Sequence, residues 1–159
     1  MTKPTQHMRL RTPGVNIAVV AKDETGWKFL IVKRSESETY PGRIGFVTGM
    51  SDDSETVTRT AIRELAEETG LTANSLWTTE HLIQFYEPYS DSIWFLPVLV
   101  AIVNSESKVS LCPENCEYFW LDYRKAQQKV NWKNLVHILN ELQEELERFP
   151  ASSWIALPV

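Results

Sequence analysis

The stretch "GMSDDSETVTRTAIRELAEETGL", residues 49–71, carries four glutamates, two aspartates and two arginines, and three of the glutamates fall between positions 64 and 68. Val57, Ala61, Ile62 and Leu65 recur at i, i+4, i+5 and i+8, a spacing that predicts a helix over residues 56–69. Gly70 is the expected C-terminal stop, because glycine accepts the left-handed backbone that closes a helix. On that helix Glu64, Glu67 and Glu68 stand at i, i+3 and i+4, so they form one acidic ridge beside the apolar stripe. Like charges at that spacing cost a few tenths of a kcal/mol when exposed and more where water is excluded. A divalent cation reverses the sign. Hard ions such as Mg2+ or Mn2+ take carboxylate oxygens and keep waters and substrate phosphates as further ligands. Taken alone, three glutamates are better read as a solvated helix face.

The neighbours of the ridge decide between the two. Gly49, Glu55, Arg63-Glu64-Leu65, Glu67-Glu68 and Gly70-Leu71 match, at every specified position, the pattern G-x5-E-x7-R-E-U-x-E-E-x-G-U, with U a bulky aliphatic. In this the chain resembles the Nudix hydrolases. The resemblance implies an α/β (α+β) fold, the Nudix α/β/α sandwich with a mixed sheet, a metal-binding loop-helix-loop and a C-terminal helix. It also implies hydrolysis of a pyrophosphate joined to another moiety, with Mg2+ or Mn2+ neutralising phosphate charge and activating a water. Glu64, Glu67 and Glu68 would be metal ligands, one of them a candidate for polarising the water, and Gly49 would offer its carbonyl. Arg63, also a candidate for the catalytic centre, and Glu55 would orient the loop and helix by an ion pair, with Gly70 closing the helix. Two departures stand out: Ser54 and Thr48 occupy positions where glycine is common. Asp52 and Asp53 lie where other members often carry a glutamate.

Many family members use one more acid outside the box. Glu114, six positions before Trp120-Leu121 in "VSLCPENCEYFWLDYRKA", is the candidate, with Glu117 and Glu87 as competitors. Lys33 and Arg34 end a predicted strand where relatives present a cation to phosphate, and a bidentate guanidinium suits that task. Alternation sends at least one of the two to the opposite side, and Arg34 is preferred. Tyr40, Phe46, Phe85, Tyr86, Tyr89 and Trp94 are candidates for stacking on a ring, although aromatics in strands more often fill cores. His81 and His137 read as surface or capping residues.

Outward from the box, "VNIAVVA" (15–21), a turn at "KDETG" and "WKFLIVKR" (27–34) predict a hairpin. "IGFVTG" (44–49), "LIQFYEPY" (82–89), "SIWFLPVLVAIV" (92–103) and "EYFWLDY" (117–123) read as strands, and residues 132–147 as an amphipathic helix. Pro97 cannot donate to a ladder, so its strand is expected to bulge there or to lie at an edge. Residues 1–12 are expected to be a loose arm or an edge strand, and residues 1–159 one domain. Cys112 and Cys116, with no further Cys or His pair nearby, suggest free thiols in a reducing cytoplasm.

The formal net charge of −5 speaks against a broad nucleic-acid surface. The longest apolar run, residues 93–103, is too short to span a membrane. The expected partner is a small nucleoside triphosphate or other nucleoside diphosphate-linked molecule; family members are often dimers, but no strip of this sequence marks an interface. The segment around "VTG" and Trp120-Leu121 resembles the nucleoside triphosphate and dihydroneopterin triphosphate pyrophosphohydrolases. Dinucleoside polyphosphate hydrolysis is the enzymatic alternative, and a catalytically weak nucleotide-binding or regulatory module the alternative of another class.

Overall fold

The computed structural model of the chain describes residues 8–159. Residues 1–7 of the expected N-terminal arm lie outside the described residues; the rest supplies an edge strand, β1 (Arg9–Arg11), paired on one side only. The hairpin follows as β2 (Gly14–Asp23) and β3 (Gly26–Arg34), joined by a turn in which Asp23 accepts hydrogen bonds from the Thr25 amide and hydroxyl. The stretch read as a single strand at residues 44–49 is two, β4 (Ile44–Gly45) and β5 (Val47–Met50). The chain changes partner at buried Phe46: β4 pairs with β3, and β5 with the first half of β2. Beyond α1 (Val57–Thr69) come β6 (Ser75–Glu87), β7 (Ser92–Ile102), β8 (Asn115–Leu121), α2 (Tyr123–Lys129), α3 (Lys133–Glu147) and β9 (Ala156–Leu157).

The sheet is mixed. Its backbone runs β4-β3-β2-β7-β6-β9, with β1 on β7, β5 on β2 and β8 on β3; β2 and β7 are parallel and most other neighbours antiparallel. Along β2, Val15, Ile17, Val19 and Ala21 turn to one face, where Ala61 and Leu65 of α1 cover them. Ala18 and Val20 turn to the other, under Leu135, Ile138, Leu139, Leu142 and Leu146 of α3. A strand covered on both faces has no need of polar alternation, which is why "VNIAVVA" is almost continuously apolar. Helices on both faces of the sheet make an α/β/α sandwich, as the resemblance implies. No helix among the described residues is long and apolar enough to cross a membrane.

Three local expectations are corrected. Asp122 does not extend β8: its side chain accepts from the Lys125 amide at 3.0 Å and so caps α2, a helix too short to show its period in sequence. Strand β6 begins at Ser75, seven residues before the predicted start, because the polar "TTEH" run interrupts its alternation. Pro97 sits neither at an edge nor in its own bulge. On one side it falls in the gap between the β1 pairing (Ser92–Trp94) and the β2 pairing (Val98–Ile102), where no amide is called for. On the other side the irregularity lies in β6, between Thr78 and Leu82.

Candidate functional site

Helix α1 is positioned by its caps and by the strands beneath it. The Thr56 hydroxyl accepts from the Arg59 amide at 3.3 Å, and Gly70, at φ 69°, returns its N–H to the Ala66 carbonyl at 2.9 Å. The loop from β5 into α1 turns on Ser54, whose φ is 68°. That is the left-handed region, costly for a residue with a Cβ, and it accounts for glycine being common at this position in the resembled pattern.

Arg63 is the hub of the box. Its Nε and Nη2 donate to the two oxygens of Glu55 at 3.1 and 2.9 Å, Nη1 donates to Glu64 at 2.8 Å and Glu67 at 3.0 Å, and Nη2 also reaches the Met50 carbonyl at 2.9 Å. One planar fork thereby ties the loop, the helix and the end of β5 together. The guanidinium holds the Glu55 carboxyl at about 2, with bonds from the Asp52 amide and the Thr60 hydroxyl adding to it. Arg63 draws Glu64 and Glu67 towards itself, and among the described residues no three His, Cys, Asp or Glu side chains are gathered into a ready metal cage.

A cavity of about 360 Å³ opens beside this network. Its wall includes Glu64, Glu68, Glu114 and Arg34, the rings of Tyr40, Phe85 and Trp94, and Arg43, Thr48, Gly49 and Met50. Glu68 is 2% exposed. Its Oε2 accepts from Asn115 Nδ2 at 2.8 Å, while its Oε1 is buried with no protein partner. Burial raises its pKa to about 7; the Asn115 bond and Arg34 oppose that rise, and the neighbouring Glu64 and Glu114 reinforce it. Glu64 is pushed up as well, first by burial, with Arg63 opposing. Two desolvated carboxyls, one with an orphaned oxygen and neither fully compensated by its cationic neighbours, fit a divalent ion held by Glu68, Glu64 and the carbonyl of Gly49.

Glycine is required at position 49. A Cβ there would overlap the Glu64 side chain, which lies directly across the Gly49 backbone. Gly49→Ala is expected to displace Glu64, destabilise the protein by about 1–3 kcal/mol as overpacking does, and reduce turnover at least tenfold. Melting curves and initial rates on the same sample check both.

The other candidates are distributed as follows. Arg34 lines the cavity, its Nε donating to the Thr39 carbonyl at 3.0 Å and its Nη2 lying 3.7 Å from Glu114. Lys33 does not line it: the alternation of β3 sends its Nζ to Glu117, 2.9 Å away. That pairing occupies Glu117, and Glu87 is occupied too, accepting from the amides of Tyr89 and Ser90 and the hydroxyls of Ser90 and Tyr40. Of the three outside acids only Glu114 reaches the cavity wall. Glu67, with its side chain 59% exposed, stands outside the wall, paired to Arg63. Asp52 and Asp53 are exposed. Of the candidate ring partners, Tyr40, Phe85 and Trp94 line the cavity; Phe46 belongs to the core under α3, and Tyr86 and Tyr89 are exposed. His81 is wedged between Glu141 and Glu145, each 3.2 Å away, whereas His137 is exposed. Both cysteines are free. Asn115, Arg43 and Trp132 are absent from the sequence-derived candidates, and nothing in their local pattern separates them from ordinary loop or strand residues.

Among curated proteins none matches the chain significantly. Solved structures do. The fold is similar to an Ap4A hydrolase binary complex from C. elegans (TM-score 0.74, 20% identity, 85% of this chain and 97% of that one). It is similar also to the NUDIX domain of Shewanella oneidensis NrtR complexed with ADP ribose (0.68, 16%, 89% and 90%) and to the E. coli dihydroneopterin triphosphate pyrophosphohydrolase (0.65, 18%, 85% and 99%). The model of the NUDIX domain matches residues 10–146, nearly the whole sandwich with every box carboxylate inside it, and the chain thus belongs to the NUDIX family as a hydrolase of phosphoric anhydrides.

Proposed function

We propose that the protein is a divalent-metal-dependent pyrophosphohydrolase that cleaves a nucleoside triphosphate-like substrate, a nucleotide or dihydroneopterin triphosphate, to a monophosphate and pyrophosphate. The observation that carries this is the mixed lining of one cavity, which joins the buried carboxylates of Glu64 and Glu68 and the cation of Arg34 to the rings of Tyr40, Phe85 and Trp94. Tyr40, Phe85 and Trp132 pack edge to face, with Phe85 and Trp132 5.1 Å apart and Tyr40 6.1 Å from Trp132, and Trp94 leans on Phe85 at 5.7 Å. Rings fixed in this way present faces and edges to a flat heterocycle at little entropic cost. A molecule with a ring at one end and a chain of phosphates at the other matches both. The acidic overall charge favours a small substrate over a nucleic acid.

Glu68, Glu64 and the Gly49 carbonyl would hold Mg2+ or Mn2+, which when bound supplies charge neutralisation and lowers the pKa of a coordinated water. Arg34 draws the phosphate chain to the carboxylates. The anhydride bond between the α- and β-phosphoryl groups breaks, water supplies the new P–O bond, and its proton passes to Glu114, which faces the cavity without being held by Arg63. Arg63 and Glu55 position the helix and make no contact with the reacting atoms.

Turnover of the common nucleoside triphosphates, dihydroneopterin triphosphate, diadenosine polyphosphates and ADP-ribose, with Mg2+ or Mn2+, tests this. Monophosphate and pyrophosphate from a triphosphate are the expected products, with Glu68→Gln and Glu64→Gln much slower than the native chain. Preferred cleavage of a dinucleoside polyphosphate would replace the proposal with its alternative. Metal binding without turnover of any compound would favour a binding module.

A further inference from the structure

Arg43 is more than nine-tenths buried, yet among the described residues it has no carboxylate partner. Its Nη2 donates to the Asn16 side-chain oxygen at a long 3.4 Å, and its Nε is buried with no acceptor. Asn16 itself is fully buried, and its Nδ2 also lacks a partner. The guanidinium lies over Trp132, 4.0 Å from the ring centroid. It lines the same cavity as Arg34. Burial and then Arg34 disfavour its charge, while Tyr40 and Glu68 favour it, so Arg43 senses both the ring of Tyr40 and the Glu68 carboxylate in that wall.

A buried cation without a counter-ion is unfavourable, and a second arginine nearby makes it more so. The face of Trp132 relieves part of that. Neither an aromatic face nor an amide oxygen replaces an anion, and Arg43 stands in the cavity wall. Arg34 has Glu38 and Glu114 within 4 Å, so the uncompensated cation is Arg43. Resting on the function given above, we propose that Arg43 is a substrate-binding residue that takes the phosphoryl group lying between the ring and the carboxylates, the group that stays with the monophosphate product. A fork held flat against an indole suits two oxygens of one phosphate.

The role is separable from the metal, since it is carried by the chain's own cation. The test measures binding to the metal-free protein in EDTA, by calorimetry, of four nucleoside monophosphates, dihydroneopterin monophosphate, the matching phosphate-free compounds and inorganic tripolyphosphate. Native protein, Arg43→Met and Arg43→Lys are compared. Met fills the space without charge, and Lys keeps the charge without the fork. In the native protein at least one monophosphate is expected to bind at least tenfold more tightly than its phosphate-free partner. That increment should vanish in Arg43→Met and shrink in Arg43→Lys, with binding of the phosphate-free compound unchanged. Arg43→Met should melt at or above the native temperature in the absence of anions, and tripolyphosphate should stabilise only the native and Lys forms. An increment that survives in a folded Arg43→Met, loss confined to the phosphate-free compounds, or absence of any anion binding to the native protein would each overturn the assignment. Should Arg43→Met not fold, an unchanged increment in Arg43→Lys overturns the fork and a reduced one supports it. A chain that shows the increment but hydrolyses no triphosphate would sink the proposed function and leave Arg43 as an anion-binding residue.

Discussion

Glu68→Gln is expected to lower turnover by on the order of 10³-fold while making the metal-free protein more stable at pH 8. Both effects come from the same geometry. The carboxyl is almost completely buried, Asn115 satisfies one oxygen, and the other has no partner. Glutamine can accept the Asn115 bond in the same place, but it brings no charge for a metal. For stability the sign runs as follows from the raised pKa. An acid that titrates near 7 in the folded chain and near 4.5 when unfolded binds more protons in the folded state between those values. Stability of the metal-free protein therefore falls as pH rises through that window and stays low above it. The difference corresponds to at most about 3 kcal/mol, or roughly 6–12 °C in melting temperature for a chain of this size. The native protein should accordingly gain more from Mg2+ at pH 8 than at pH 5, and Glu68→Gln should gain little at either. Melting curves across pH with EDTA or Mg2+ decide it: a Gln variant that melts below the native metal-free protein at pH 8 would show that the burial of Glu68 is already compensated.

Arg63→Gln is expected to reduce both stability and activity, in contrast to the opposed effects at Glu68. Removing the fork strips Glu55 of both its guanidinium bonds and frees Glu64 and Glu67 to repel each other and Glu68. Loss of such a half-buried network costs about 2 kcal/mol, or roughly 4–8 °C. Turnover should fall by about 10²-fold because Glu64 and the loop that carries Gly49 lose their common anchor. Arg63→Lys should recover little, since an ammonium cannot bridge Glu55 in two places while also reaching Glu64 and Met50. There is also a signature in acid. Glu55 is held at about 2, below its unfolded value, so its contribution is present above pH 4.5 and disappears as pH falls towards 2. The native protein should lose stability across that interval more steeply than Arg63→Gln, and equal slopes would remove Arg63 as the cause. Urea titrations at pH 3 and 5 are sufficient to measure it.

Much of the site-bearing region was legible because its determinants are local. A helix declares itself through a 3.6-residue period and a closing glycine at position 70, and both lie within one short segment; that Thr56 caps it is seen only in the structure. The acidic ridge follows from the same period. The apolar run of β2 marked a strand, and the structure shows that it is covered on both faces. Ser54 was visible as a departure, though only its φ of 68° shows why glycine is common there. By contrast, the early start of β6 and the accommodation of Pro97 depended on which strand lay alongside, and a pairing partner more than ten residues away leaves little trace in composition; the helix after Asp122 is too short to show a period.

What the sequence by itself determined was the fold family, the helix and the identity of its carboxylates, since spacing along one helix is fixed by backbone geometry alone. The tertiary structure decided which of those groups share a cavity. It set Glu68 in the wall with an orphaned oxygen and Glu67 outside it, turned Arg34 inward and Lys33 towards Glu117, and brought Arg43, Asn16 and Trp132 together from three distant parts of the chain. Burial, and therefore the free energy of a charge, is a property of everything packed around it. No local pattern encodes that, because the neighbours that remove the water come from distant parts of the chain.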